Sequence, residues 1–233
     1  MRQFFTVLYN FVKYNVKIVF GNKFPYFILA AIGFYLLIVA IYVLSDEEIT
    51  EASGFTMLLV PSLLLIFYPT CFGIQNDQDT KIIEVIFGIP NYRYKVWLFR
   101  LFIAYVITFA VVLSMAYLTN WIVVEVQPVE IAAQALVPAF FIGMCAFMFS
   151  TILRNGNGTA VVLIIVGILL FFLDMVLGVS YWNVLMNPYD IPLEQNPIIF
   201  YDTLFYNRIA VMTASIVLLI VGLNSMRKRE KFI

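Results

Sequence analysis

The sequence contains no histidine, and its two cysteines, Cys71 and Cys145, each sit inside an apolar run with no C-x-x-C spacing. The absence of histidine excludes H-E-x-x-H metalloproteases, histidine-based triads and haem held by histidine. Isolated cysteines in apolar runs offer no metal or redox motif and read as small packing groups. Charge is also scarce: 12% of residues are charged, about half the usual share of soluble domains. No basic stripe lies outside the segments that flank the apolar runs, which argues against nucleic acid as a partner. A G-x-x-x-x-G-K-[ST] phosphate loop is missing too, so the chain cannot use ATP by that route.

Apolar side chains take the place of charge. They make up 63% of the chain, with a mean hydropathy of +0.96, against about 45–50% apolar content in soluble domains. An all-α polytopic membrane protein is expected, with residues 1–233 forming a single transmembrane domain. Six uncharged or nearly uncharged runs, at about 26–44, 55–74, 101–124, 131–153, 159–180 and 209–226, are each long enough to cross roughly 30 Å of hydrocarbon. Pro61 and Pro69 bend the second, where neighbours or a cavity must satisfy the freed carbonyls. Trp97 and Trp121 bracket the third as interfacial anchors. Ser45 and Glu48 stand at capping-box spacing before the second span, and Arg154 to Gly158 form a five-residue turn between the fourth and fifth.

Three segments fall outside these spans. Residues 1–25 alternate Gln3, Thr6, Asn10, Lys13 and Lys17 with Phe4, Leu8, Phe11, Val12 and Val19, the pattern of a helix lying in the membrane interface. A signal peptide does not fit, because Lys13 and Lys17 interrupt the apolar core and no small-residue cleavage site follows. Residues 183–207, with Pro188, Pro192 and Pro197, read as a re-entrant or interfacial segment before the sixth span. The third segment, 75–100, is the polar interval in mid-chain. Asn76, Asp77, Gln78 and Asp79 form a turn suited to capping a helix start. Ile82, Ile83 and Ile86 then share one face, with Lys81 and Glu84 pointing away, and Gly88 and Pro90 end the turn.

Every Lys and Arg except Arg208 falls in the N-terminal arm, the 75–100 stretch, the 154 turn or the C-terminal tail. The positive-inside rule therefore expects both termini and the 75–100 stretch to be cytoplasmic, as an even number of spans requires.

This layout resembles the ABC-2 type permeases, the membrane subunits of ATP-driven exporters. The shared features are an interfacial N-terminal helix, six spans, a short cytoplasmic helix between spans two and three, and a broken external segment before span six. The family's acidic-x-x-x-Thr-x-x-Glu helix, followed by a proline and a basic residue, is matched by Asp77 or Asp79, Thr80 or Lys81, Glu84, Pro90 and Arg93. The glycine usual before the threonine is missing, and Val85, Ile86 and Phe87 replace the usual leucines. The resemblance implies a permease that is not itself an enzyme and forms half of an export pathway for apolar or amphiphilic cargo in the inner (cytoplasmic) membrane. A second copy or a paralogue would complete the pathway. ATP and Mg would sit on a separate ATP-binding-cassette subunit, and this chain would bind no cofactor. The coupling residues toward that subunit would be Asp79, Lys81, Ile82, Ile83, Glu84, Ile86, Phe87 and Arg93. A self-sufficient channel or secondary transporter is the alternative, but the only acid within an apolar span is Asp174. Counted from Thr159, Asp174 lies roughly 22 Å deep. It reaches outward to water beside the broken external segment, forms a structural charge pair with Arg208, or lines the cargo path.

Overall fold

The computed structural model describes residues 24–45, 48–81, 86, 88 and 92–226. The expected interfacial helix falls outside the described residues except at its last two positions, which begin the first helix. Six α-helices follow in order: α1 Phe24–Leu44, α2 Glu51–Asp79, α3 Phe99–Ile122, α4 Pro128–Leu153, α5 Gly156–Leu177 and α6 Pro197–Ser225. A π-helical segment, Arg93–Leu98, runs directly into α3. All six helices are long and apolar enough to cross a membrane, and there is no strand among the described residues. The chain is a multi-pass membrane protein.

Local hydrogen bonds explain where helix ends depart from the sequence expectation. The capping box that starts α2 is Thr50 with Ser53, each backbone N–H donating to the other's hydroxyl at 3.4 Å. Ser45 is not part of a capping box, because its hydroxyl donates to the Tyr42 carbonyl at 2.9 Å. At its other end α2 runs through the polar residues 76–79, so they finish a helix instead of capping a new one. α6 starts at Pro197, well before the expected 209. Proline is pre-shaped for the first helical position, and the Asn196 side chain accepts from the Ile198 N–H at 2.9 Å. Between α4 and α5 the turn shrinks to residues 154–155: Arg154 takes the left-handed cap at φ 57°, and Asn155 accepts from the Gly158 N–H at 3.0 Å.

α2 and α4 form the centre of the bundle. α2 packs on α1, α3, α4 and α5, and α4 packs on α2, α3, α5 and α6. α4 can sit there because it buries small residues, Ala132, Ala135, Ala139, Gly143 and Ala146, which let backbones approach. The two prolines of α2 leave it continuous. Ser62 donates to the Leu59 carbonyl at 2.6 Å and Thr70 to that of Ile66 at 2.6 Å, so hydroxyls beside each ring serve backbone carbonyls in the proline-containing turns. Cys71 and Cys145 are free and buried in one apolar cluster.

Cross-chain hydrogen bonds sort the connections into two ends. Gln75 accepts from the Gly156 N–H at 2.6 Å, Tyr92 donates to the Met226 carbonyl at 2.5 Å, and Ser225 to that of Thr151 at 3.5 Å. Gln75, Tyr92, the 154 turn and the end of α6 therefore share one end of the bundle. At the opposite end, Asn187 donates to the Ala52 carbonyl at 3.0 Å, which ties the 178–196 segment to the start of α2. The cation-rich segments that the structure describes thus lie together.

Candidate functional site

At the cation-rich end, α2 closes on Thr80, whose hydroxyl donates to the Asn76 carbonyl at 2.7 Å. Lys81 then turns the chain away in the left-handed region at φ 56°. Asp77 lies on the inner side of this last turn, 3% exposed, and accepts a charge-assisted hydrogen bond from Arg100 in the first turn of α3. It is the only ion pair found among the described residues. The guanidinium also lies over the Trp97 ring, 5.0 Å from its centroid. A π-helical turn holds one more residue than an α turn, and such insertions recur at functional positions. Here the π segment carries Trp97 into the bundle, where it packs on Phe147. Trp97 is 3% exposed, so it is no interfacial anchor, whereas Trp121 at the far end of α3 is 84% exposed.

The proposed coupling residues separate into distinct groups. Asp79 and Lys81 are exposed, as are Tyr94 and Lys95 outside the expected set. Ile86, expected on a free apolar face, is instead 4% exposed and packs in a cluster with Ile74, Tyr92, Trp97 and Leu101. Ile86 therefore anchors the connection to its own bundle. Ile82, Ile83, Glu84 and Phe87 lie outside the described residues, as does the side chain of Arg93. Asp77 and Arg100 are the pair that sequence reasoning missed. Their signal was an acid in the last turn of one span facing an arginine in the first turn of the next.

At the other end, Asp174 and Arg208 do not meet. The Asp174 carboxylate, in the last turn of α5, accepts from the Asn183 side chain at 2.8 Å. Arg208 donates to Gln134 at 2.9 Å, to the Asn207 side chain at 3.0 Å and to the Met186 carbonyl at 3.1 Å. Asn207, fully buried, donates to the Asn183 carbonyl at 2.7 Å and completes a chain of contacts between the two charges. The expected direct pair is thus replaced by two intervening asparagines. Together with the Asn187 bond to the Ala52 carbonyl, these hydrogen bonds tie the 178–196 segment to α2, α5 and α6. Within that segment, burial and then the Glu130 and Glu51 carboxylates raise the Tyr189 hydroxyl above its ordinary range.

Arg208→Gln is expected to cost about 1–3 kcal/mol, since it leaves acceptors without their donor. Asp174→Asn, which can still accept from Asn183, is expected to cost less. Because the two are joined only through Asn183 and Asn207, the double is not expected to recover what either single loses, as read from melting midpoints in detergent for both singles and the double. Recovery in the double would indicate a direct pair.

Beneath the 178–196 segment, a cavity of about 570 Å³ opens between α2 and α5. A second, of about 530 Å³, is lined almost wholly by apolar residues of α3, α4 and α6 around Tyr105. No family model matches the chain, and comparisons with curated proteins and with solved structures find no match.

Proposed function

We propose that the chain is the permease subunit of an ABC-2 type transporter, driven by a separate ATP-binding-cassette subunit that grips the connection between α2 and α3. The observation that supports this reading is the way that connection is mounted. Asp77 with Arg100, and Ile86 and Tyr92 in the core, bind its roots into α2, α3 and the end of α6. Asp79, Lys81 and Lys95 remain exposed for a partner. A displacement applied there moves α2 and α3 together, and α2 is one of the two central helices. With the cation-rich end facing the cytoplasm of the inner membrane, the partner's ATP is on the correct side. A second copy or a paralogue completes the pathway. A self-sufficient transporter would rely on paired charges within its spans, yet Arg208 is held by Gln134, Asn207 and the Met186 carbonyl and does not meet Asp174.

Ile83→Asp and Glu84→Ala are expected to leave the chain inserted while reducing recovery of the ATPase subunit about tenfold or more, since interface anchors contribute about 1–4 kcal/mol. Affinity purification from native membranes, followed by ATP hydrolysis and transport assays, measures this. Wild-type recovery and wild-type transport from both variants would overturn the proposal.

A further inference from the structure

We propose that the cavity between α2 and α5 binds a hydrophobic organic cation, with hydrocarbon against the helices and positive charge against Asp174 and Asp190. The inference deepens the permease reading and rests on it only for the word cargo.

The cavity has an apolar side and an acidic one. Phe55, Leu59 and Leu63, one turn apart on α2, face Phe171 on α5, and the folded-back 178–196 segment forms the roof. Its volume of about 570 Å³ falls within the range of about 300–1,000 Å³ typical of small-molecule sites. The charged residues that line it are Asp174 and Asp190, with no lysine or arginine among the lining. Arg208, the cation nearest in the network, spends its donors on Gln134, Asn207 and Met186. Asp174 gives one oxygen to Asn183, which fixes the carboxylate's orientation. A carboxylate at an apolar boundary attracts a cation more strongly than one in water, because the surrounding dielectric is lower. An anion of the same shape would meet repulsion from both carboxylates.

Gly167 provides a clean way to close the site. It lines the cavity from α5, and a Cβ placed there meets nothing within 4 Å. Gly167→Leu should therefore start its side chain in open space and extend it into the cavity, and it replaces a poor helix former with a good one.

Tetraphenylphosphonium and tetraphenylborate, matched in shape and opposite in charge, are the probes. Saturable binding to the full chain in neutral detergent is measured by equilibrium dialysis. The phosphonium is expected to bind at least tenfold more tightly than the borate. Asp190→Asn and Asp174→Asn should each weaken it several-fold, and Gly167→Leu should abolish the saturable component. Equal binding of the two probes, or wild-type phosphonium binding by Asp190→Asn and Gly167→Leu, would overturn the inference. A chain that recovers an ATPase yet shows no preference for the cation refutes this site and leaves the permease reading standing. A chain that prefers the cation without an ATPase partner supports the site and refutes the permease reading.

Discussion

Removing either Asp77 or Arg100 alone is expected to destabilise the protein by about 3–5 kcal/mol, whereas replacing both with apolar residues should be close to neutral. Their side chains are 4% and 10% exposed, so neither charge has water to fall back on when its partner is lost. Arg100 would still lie over Trp97, but a ring face offers no hydrogen-bond acceptor to the guanidinium. Asp77 without Arg100 would be a carboxylate in the packed last turn of α2. The measurement is the melting midpoint in detergent of Asp77→Leu, Arg100→Met and the double. Under the permease proposal the double should be stable yet poorly coupled, since the charged link between α2 and α3 is gone. Singles as stable as wild type would show that the pair adds nothing.

Gly143→Ala is expected to destabilise the bundle even though alanine is the better helix former by about 1 kcal/mol. A Cβ at Gly143 would stand 2.1 Å from the Tyr105 hydroxyl oxygen and 2.9 Å from Ile66 Cγ1, where α2, α3 and α4 meet. Tyr105 is itself held by a hydrogen bond to the Phe140 carbonyl at 3.2 Å, so it cannot swing aside without breaking that contact. Overpacking of this kind costs about 1–3 kcal/mol, and Gly143→Leu should exceed it or fail to accumulate. Gly167→Ala is the control: its Cβ points into open space, so it should match or exceed wild-type stability. The comparison is read from melting midpoints and from yield in the membrane fraction. A Gly143→Ala protein as stable as the Gly167→Ala control would refute the close approach.

The acidic stretch at 76–79 shows how the sequence misled. Asn, Asp and Gln in series suit a cap, and the apolar count falls there, so a helix start is the natural expectation. In the structure α2 continues to Asp79 because Asp77 finds a partner 23 residues away, which no local window contains. Arg208 follows the same logic. It looked like a stray cation on the wrong side and cut the sixth span short. It is an internal donor to Gln134, 74 residues away, and α6 runs through it. Ile86 has the right amphipathic spacing but uses its apolar face on its own core.

The sequence alone determined the class of protein, the six apolar spans among the described residues and the shared end of the cation-rich segments described there. These follow from composition summed along the chain, because hydrocarbon admits only backbone that satisfies itself, and a helix needs about 20 apolar residues to cross it. Tertiary structure alone decided which helices are central. α5 contains the most apolar stretch, at a mean hydropathy of 3.0, yet only 6% of that stretch is buried. The corresponding stretches of α2 and α4, at 2.0 and 2.1, are each 56% buried. Lipid and protein interior are both apolar, so hydropathy does not tell a lipid-facing side chain from a packed one. Small residues that allow close approach, and polar groups that find distant partners, make that distinction.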